Sequence, residues 1–273
     1  MGEIPDLQQV DAVLPQLLRK TGAFVLNEFK HFDFGRIEYK GENDLFSYVD
    51  VTAEDILKKS CKEVIPNSGF ITEESANENT QRDFIWVIDP VDGTTNFTHG
   101  LPIFCISLGL TYKSEMVRGY IYHPASDELF VAKKGEGAFL NGEKIQVSPK
   151  IDLKEALLST RFPGIDVPGK EVYAQMLANI IGESHGVRRL GSAALEMAYV
   201  ACGRLDGYFE FGLKPWDVAA ASLLVQEAGG KVTDMEGGPN YFFGKQILVS
   251  NGPIHATLLG HLQSWVSNLK SVQ

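Results

Sequence analysis

An apolar run that ends in two closely spaced carboxylates constrains this chain more than any other stretch of its sequence. Residues 84–88 read Phe-Ile-Trp-Val-Ile, and residues 89–95 then read Asp-Pro-Val-Asp-Gly-Thr-Thr. A short apolar run bounded by Pro and Gly predicts a buried strand that stops at a turn. Such a strand would hold the carboxylates of Asp89 and Asp92 in fixed positions, as a catalytic site requires.

The chemistry of this junction favours a metal ion and a phosphate. Carboxylate oxygens are the ligands that hard cations such as Mg²⁺ take. The junction also predicts the start of a new helix, whose free N–H groups and partial positive charge suit a phosphate. An unpaired carboxylate at Asp89, which ends a very apolar strand, would be energetically costly, and a bound cation would remove that cost. The sequence therefore predicts a metal-assisted enzyme that acts on a phosphate.

Two further acidic residues occupy similar positions. Glu73 follows a predicted short strand at residues 69–72, and Asp217 opens a predicted apolar helix at residues 217–228. Other interpretations of the single residues stay open at this point. Glu73 also suits a solvent-exposed strand end, and Asp92 and Asp217 each suit a helix N-cap. Taken together, the four acidic residues favour one shared site.

Two other motifs with closely spaced aspartates do not fit the junction. An EF-hand loop carries carboxylates at alternate positions and a Glu at position twelve. Here Asp89 and Asp92 lie three positions apart, and position twelve is Gly100. A covalent aspartyl phosphatase carries its nucleophile two residues before the second Asp, a position that Pro90 occupies here. The mechanism that remains is direct attack by a metal-activated water.

Composition narrows the class of partner. The 273-residue chain has a formal net charge of −10 and no run of Lys or Arg longer than two residues, which argues against binding to a nucleic-acid backbone. It has no apolar run near the ~20 residues of a membrane span, no segment of signal-peptide form, and three widely spaced cysteines. We expect a cytoplasmic protein that binds a small-molecule phosphate monoester, with neither nucleic acid nor membrane as partner.

The first half of the chain predicts helices followed by a β-meander. A long helix with Pro15 inside it is predicted around residues 10–25, and a second helix over about 51–64. The intervening residues 31–48 are predicted to be extended or looped. From 84 to about 147 the pattern is mostly that of short antiparallel strands, with a hairpin turn at Asn141-Gly142.

The second half predicts mainly helices, and the whole chain predicts a layered α/β (α+β) fold. Helices are predicted at 171–182, 192–202, 217–228 and 254–269, and strands at 206–211 and 247–250. We expect one domain over residues 1–273. A soft division would separate an N-terminal α+β half (about 1–150) from a C-terminal α/β half (about 151–273).

Several segments resemble those of the inositol monophosphatase family, in matching order and spacing over almost the whole chain. The most specific are Thr-Glu-Glu-Ser at 72–75, Trp-Val-Ile-Asp-Pro-Val-Asp-Gly-Thr-Thr-Asn-Phe at 86–97 and Pro-Trp-Asp-Val-Ala-Ala at 215–220. Segments 135–142 and 191–194 add to the resemblance, and Thr72 departs from it where Gly is common. The resemblance implies the αβαβα sandwich of Mg²⁺-dependent, lithium-sensitive phosphomonoesterases, which are usually homodimers.

The resemblance also implies a set of metal ligands for two to three Mg²⁺ ions. Glu73, Asp89 and the Val91 carbonyl would hold the first ion. Asp89, Asp92 and Asp217 would hold the second. Glu73 would also contribute to a third, weakly bound ion.

The resemblance assigns the remaining site residues by motif. Thr94 matches the residue that orients the attacking water, Asp50 matches its acidic partner, and Glu73 completes the catalytic set. The backbone amides of Gly93, Thr94 and Thr95 would bind the phosphate. Lys40 would approach the water or the phosphate, or else be a solvated surface lysine. The implied substrate-binding residues are Gly191, Ser192, Ala193, Glu210, Asp92 and Asp217.

The expected function is hydrolysis of inositol-1-phosphate to inositol and phosphate. A carboxylate at Glu210 would accept hydroxyl hydrogen bonds from a polyol, although Glu210 also suits a strand position that faces solvent. One alternative is a broad sugar-phosphate or fructose-1,6-bisphosphate phosphatase on the same scaffold. A second alternative is a non-enzymatic regulatory protein that uses the fold to bind a protein partner.

Overall fold

The computed structural model describes residues 6–32, 42–162 and 170–272. Its helices are α1 Gln8–His31, α2 Glu42–Val64, α3 Thr94–Thr98, α4 Lys170–Glu183, α5 Ala193–Ala201, α6 Pro215–Glu227 and α7 His255–Val272. Its strands are β1 Gly69–Thr72, β2 Phe84–Asp92, β3 Cys105–Tyr112, β4 Glu115–His123, β5 Glu128–Lys133, β6 Gly137–Leu140, β7 Glu143–Ile145, β8 Leu157–Thr160, β9 Gly186–Arg188, β10 Gly207–Phe211, β11 Lys231–Thr233 and β12 Gln246–Ser250.

The two N-terminal helices pack their apolar faces on the first sheet. α1 runs through Pro15 without a break and buries Leu14 and Leu18. α2 begins at Glu42, so the prediction of extended or looped chain over 31–48 is wrong for its last seven residues. Leu45 precedes Val49, Ala53 and Leu57 at four-residue spacing, a helical signal that the sequence analysis did not use.

The predicted antiparallel meander is confirmed. Seven strands form one sheet in the order β1 to β7, in which β1 pairs with β2 in parallel and every later neighbour is antiparallel. The predicted hairpin turn joins β6 to β7, where Asn141 has φ of 49° and Gly142 has φ of 89°. Both residues therefore adopt the left-handed conformation that this type of turn requires.

The second half forms its own five-stranded sheet in the order β11-β12-β10-β8-β9. The predicted strands near 206–211 and 247–250 are confirmed as β10 and β12, and the four predicted helices are confirmed as α4 to α7. The sequence analysis did not identify β8, β9 and β11. These strands have only three or four residues each, which is too short for an alternating pattern to stand out.

The two sheets and three pairs of helices form five layers, which confirms the predicted αβαβα architecture. α1 and α2 cover the outer face of the seven-stranded sheet, α5 and α6 lie between the sheets, and α4 and α7 cover the outer face of the five-stranded sheet. The central pair is the most apolar: α5 and α6 are buried over most of their length. Their N-termini bring residues of the second half against the end of β2.

Within the described ranges, each helix is either too short or too polar to traverse a lipid bilayer.

Candidate active site

The parallel pairing of β1 with β2 places two predicted metal ligands side by side. Thr72 is paired with Ile88, and the next residues along the two strands are Glu73 and Asp89. Parallel strands run in the same direction, so these two carboxylates leave the sheet at the same edge. The register between Asp89 and Asp92 is shifted by a bulge against β3, which turns the chain at this edge.

Asp89 is, with Asp50, one of the two most deeply buried acids of the site. Its side chain is 1 % exposed and accepts one backbone hydrogen bond, from the Val91 N–H at 3.0 Å. Its carboxyl also forms a hydrogen bond with the carboxyl of Glu73, which requires one of the two groups to hold a proton. Burial, followed by the charges of Glu73, Asp92 and Asp217, raises the pKa of Asp89 well above its ordinary value. Burial likewise raises the pKa of Glu73 to about 7.

Asp92 joins the two halves of the molecule at the N-terminus of α5. Its carboxylate accepts hydrogen bonds from the Ser192 hydroxyl at 2.8 Å and from the backbone N–H groups of Ala193 at 3.2 Å and Ala194 at 2.7 Å. The N-cap interpretation of Asp92 is therefore wrong: the N-cap of α5 is Ser192, and Asp92 binds the first N–H groups of that helix from a distant part of the chain. The N-cap of the helix that follows it in sequence, α3, is Gly93.

Asp217 stabilises the N-terminus of a helix and also faces the site. It is the third residue of α6 and accepts the backbone N–H of Lys214 at 2.7 Å, as in a capping box. Burial and the neighbouring charge of Asp92 raise the pKa of Asp217 to about 8. Asp217 thus stands in the electrostatic field of the other acids as well as stabilising α6.

Asp50 is buried without a partner. It is 1 % exposed, and neither of its oxygens reaches a hydrogen-bond partner elsewhere in the described chain. Burial, with the charges of Glu74 and Glu73, raises the pKa of Asp50 to about 9. Thr94, its predicted partner, instead donates its hydroxyl to the Val91 carbonyl at 3.4 Å. Within the described residues these two side chains share no hydrogen bond, and the catalytic pairing stays a prediction.

The donor set of the cleft fits a hard divalent cation. Like charges contribute to the raised pKa values in this cluster: Glu73, Asp92 and Asp217 act on Asp89, and Asp92 acts on Glu73 and Asp217. A shared proton or a cation relieves that repulsion. All the acidic donors are oxygens, which suits Mg²⁺. Among the residues that the structure describes, no three acidic, His or Cys side chains already surround one point as a closed cage.

Side chains of α2 hold the loop that carries Glu73. The sequence analysis did not identify these contacts. The buried Glu54 accepts the backbone N–H of Glu74 at 3.0 Å and the hydroxyl of Ser75. Lys58 donates to the Ser75 hydroxyl at 2.7 Å and to Glu78 at 2.6 Å. The spacing of Asp50, Glu54 and Lys58 by four residues was the available signal, because it puts all three on one face of α2.

A cavity of about 500 Å³ opens beside the acidic cleft and brings most of the predicted phosphate and substrate residues together. Ser192 is fully buried and reaches the site through Asp92. The predicted residues that line the cavity are Asp92, Gly93, Thr94, Thr95, Gly191, Ala193, Glu210 and Asp217. Arg161, Arg189 and Glu196 also line it and were not identified from the sequence.

Asn96 fixes the position of the substrate segment against the acidic junction. Its amide donates to the Leu190 carbonyl at 2.7 Å and to the Ile103 carbonyl at 2.8 Å. Gly191 follows at φ of 86°, and a Cβ there would lie 3.0 Å from the Asn96 amide nitrogen. The turn therefore requires Gly191, both for its positive φ and for its close approach to Asn96.

Glu210 faces the cavity, so the alternative of a solvent-facing strand residue is wrong. It is 5 % exposed, accepts the hydroxyl of Tyr208 and pairs with Nη1 of Arg161 at 3.3 Å. Burial raises the pKa of Glu210. Glu196, on α5, accepts the Ser159 hydroxyl and the backbone N–H groups of Leu190 and Gly191. Lys40, the remaining candidate, lies outside the described residues.

Comparison with known proteins agrees with this arrangement. The model of the inositol monophosphatase family matches residues 6–267. An inositol-1-monophosphatase of Mesorhizobium japonicum is 39% identical over 248 residues, which cover 90% of this chain and 93% of the relative. A Nus factor SuhB of Escherichia coli is 39% identical over 251 residues, which cover 92% and 94%. The solved inositol monophosphatase of Anabaena (Nostoc) has a TM-score of 0.83 and 35% identity, and the match covers 95% of this chain and 97% of that one.

Proposed function

Because the chain belongs to the inositol monophosphatase family, we propose that it hydrolyses inositol-1-phosphate to inositol and phosphate with the help of Mg²⁺. The observation that carries the proposal is the cluster of carboxyls around the buried Asp89, whose pKa is raised by burial and by the charges of Glu73, Asp92 and Asp217, beside a cavity of substrate size. A cluster of this kind is stable when a cation neutralises it. Cavities of several hundred Å³ bind small molecules.

The proposed metal ligands are those assigned by motif. Glu73, Asp89 and the Val91 carbonyl would hold one ion, and Asp89, Asp92 and Asp217 would hold another. When bound, Mg²⁺ supplies charge neutralisation at the phosphoryl oxygens, a lowered pKa for a coordinated water and stabilisation of the leaving oxygen. The raised pKa values of Glu73 and Asp217 mean that these carboxyls would release protons as the cation enters.

The chain's own residues would bind and orient the substrate. The backbone N–H groups of Gly93, Thr94 and Thr95 stand at the start of α3, on the wall of the cavity, where they suit a phosphate oxygen. Thr94 would orient the attacking water through a hydrogen bond of its hydroxyl, and Asp50 would be the acidic partner of Thr94. Glu210 would accept hydroxyl hydrogen bonds from the polyol. Positioning and electrostatics supply most of the rate in phosphate transfer, so these contacts matter more than any covalent step.

The regulatory alternative rests on a different observation. Relatives that are 39% identical over most of both chains carry the name Nus factor SuhB, which describes a factor rather than a phosphatase. A protein that works only as such a factor would not need the buried charge of Asp89. Mg²⁺-dependent hydrolysis that is lost on substitution of Asp89 therefore separates the two functions.

The test is phosphate release from inositol-1-phosphate by the full chain, first in EDTA and then with added Mg²⁺. We expect no release in EDTA, release that saturates with Mg²⁺, and inhibition by added Li⁺. Asp89→Asn is expected to abolish release, and Asp83→Asn, an exposed aspartate just before β2, is the matched control. Fructose-1,6-bisphosphate belongs in the same panel as the nearest enzymatic alternative. Absence of Mg²⁺-dependent release from every phosphate ester would overturn the proposal and favour the regulatory role.

A further inference from the structure

Two parallel strands place Arg161 beside Glu210. Thr160 of β8 is paired with Phe209 of β10, and the next residues along these strands are the arginine and the glutamate. Parallel strands run in the same direction, so both side chains leave the sheet at the same edge, where both line the substrate cavity. The backbone of Arg161 is fixed there, since its carbonyl accepts the hydroxyl of the buried Tyr173 at 2.7 Å.

The Glu210 carboxylate is held at both of its oxygens. Oε1 pairs with Nη1 of Arg161 at 3.3 Å, and Oε2 accepts the hydroxyl of Tyr208. A carboxylate has about four acceptor positions, so each oxygen can still accept a hydrogen bond from a hydroxyl group in the cavity. Glu210 is 5 % exposed and the Arg161 side chain is 60 % exposed, so solvent reaches the arginine but scarcely reaches the carboxylate.

Glu210 stands among other acids, and Arg161 offsets their charge. Burial raises the pKa of the Glu210 carboxyl, the Tyr208 hydroxyl and the Arg161 guanidinium lower it, and the charge of Asp92 raises it. The titratable or charged groups that face Glu210 are Arg161 after β8, Tyr173 on α4, Glu196 on α5, Tyr208 on β10, Asp92 in β2 and Asp217 on α6. Arg161 is the only cation among these groups of the described chain. Without it, burial and the neighbouring acids would favour the protonated carboxyl, which has less capacity to accept hydrogen bonds.

We propose that Arg161 is a positioning residue for the polyol half of the substrate: it holds the Glu210 carboxylate ionised and in a fixed orientation, so that Glu210 recognises the ring hydroxyl groups. The inference rests on the proposed function, in which Glu210 binds the polyol of inositol-1-phosphate. Hydrogen bonds to an ionised acceptor are stronger than those to a neutral one. Because Arg161 acts through Glu210, its effect should appear mainly with substrates that carry hydroxyl groups.

The experiment compares inositol-1-phosphate with cyclohexyl phosphate, which has the same ring and phosphate but no hydroxyl groups. For the wild-type protein with Mg²⁺ we expect kcat/KM to be at least about tenfold higher for inositol-1-phosphate. Arg161→Gln should remove most of this preference, mainly by raising KM for inositol-1-phosphate. Arg161→Lys keeps the positive charge and should restore part of it.

Arg189→Gln is the matched control. Arg189 lines the same cavity, but its guanidinium lies over the ring of Phe162, 5.6 Å from the ring centre, and makes neither a hydrogen bond nor an ion pair with Glu210 in the described chain. Its substitution removes the same charge from the cavity wall, so it should change kcat/KM by the same factor for both substrates. Equal effects of Arg161→Gln on the two substrates would overturn the positioning role.

The pH profile and a double substitution test whether Arg161 acts through Glu210. In the wild-type protein, kcat/KM for inositol-1-phosphate should rise as Glu210 loses its proton. Arg161→Gln removes a group that lowers the pKa of Glu210, so this rise should move to higher pH, with cyclohexyl phosphate as the reference for all other titrations. In a Glu210→Gln background, Arg161→Gln should cause no further loss of preference. An unmoved profile, or additive losses from the two substitutions, would contradict the inference.

A binding measurement separates this inference from the proposed hydrolysis. In the presence of Mg²⁺, inositol-1-phosphate should raise the Tm of the wild-type protein more than cyclohexyl phosphate does, and Arg161→Gln should remove the difference. Equal Tm shifts for the two ligands in the wild-type protein, or an unchanged difference in Arg161→Gln, would overturn the positioning role. Absence of turnover together with the expected Tm shifts would overturn the proposed hydrolysis and support the positioning role.

Discussion

The acidic cleft contains two groups of carboxylates that the protein treats differently. Asp92 and Asp217, here called the satisfied pair, accept hydrogen bonds from backbone N–H groups at the starts of α5 and α6. The unsatisfied trio is defined here as Asp50 within α2, Glu73 directly after β1 and Asp89 within β2. In the described chain the trio accepts one such bond from outside itself, from Val91.

The difference teaches which carboxylates depend on a cation. The satisfied pair would stabilise the fold even without one, because its hydrogen bonds hold the N-termini of two helices. The unsatisfied trio contributes no comparable bond, and burial raises the pKa of each member. A buried carboxyl that accepts no hydrogen bond stays protonated unless a positive charge is bound next to it. The account therefore predicts that substitutions in the two groups affect activity and stability in different proportions.

Asp89→Asn should have the largest effect on activity. It removes the carboxylate assigned to both proposed ions, so we expect Mg²⁺-dependent phosphate release to fall by about 10³-fold or more. The asparagine oxygen can still accept the Val91 N–H and its amide can donate to Glu73, so the cation-free protein should lose no stability. The paired measurements are kcat with saturating Mg²⁺ and urea unfolding in EDTA. A folded variant with near-normal turnover would contradict the assignment.

Asp92→Asn should reduce both activity and stability. Its carboxylate accepts three hydrogen bonds from the start of α5, and an amide nitrogen in place of one oxygen would face those donors instead. Leaving a buried donor unpaired costs about 1–3 kcal/mol, so the free energy of unfolding in EDTA should fall by that amount. Denaturation of this variant beside Asp89→Asn gives the comparison directly. Equal stability of the two variants would remove the distinction between the pair and the trio.

The pH dependence of stability should weaken when Mg²⁺ is bound. The pKa values of Glu73 and Asp217 are raised to about 7 and about 8 in the fold. The folded protein therefore holds protons that the unfolded chain has released, and in EDTA its stability falls as pH rises from about 5 to about 8. Mg²⁺ replaces those protons, so the rise in Tm on adding Mg²⁺ should be larger at pH 8 than at pH 6. A Tm shift that shrinks with rising pH would count against a cation at these carboxyls.

Glu54→Gln should have the smallest effect. We expect it to change only the Mg²⁺ concentration that gives half-maximal activity. Glu54 holds the loop of Glu73 through the Glu74 N–H and the Ser75 hydroxyl, without facing the cavity itself. Loss of one partner of a metal ligand costs about 10–100-fold in metal affinity, and because glutamine retains one acceptor oxygen we expect the lower end of that range. The measurement is the Mg²⁺ concentration for half-maximal activity. Asp55→Asn, on the exposed face of the same helix, should leave it unchanged.

The features that the sequence predicted well depend on local spacing. Asp89 and Asp92 follow an apolar strand by a fixed number of residues, and Asn141-Gly142 marks its turn by residue type alone. The fold class also followed from the order of these local patterns. The first turns of α2 were missed although Leu45 continues the four-residue series of Val49 and Ala53, because the sequence analysis started that helix at about residue 51.

The features that the sequence did not predict depend on contacts between distant elements. The hydrogen bonds from α5 to Asp92 join residues about a hundred positions apart in the chain. No local sequence pattern predicts them. Glu54 reaches the loop of Glu73 because α2 packs against β2. Such assignments need the register of the sheets, which a single sequence does not reveal.

The most direct test of the central claim is the number of protons that Mg²⁺ displaces from the folded protein. Mg²⁺ would be titrated into the cation-free chain at pH 7 in weakly buffered solution, and the released acid measured. The account predicts saturable release of about one proton per chain or more, with less release from Asp89→Asn. Saturable Mg²⁺ binding without proton release, or equal release from the wild-type protein and Asp89→Asn, would contradict it.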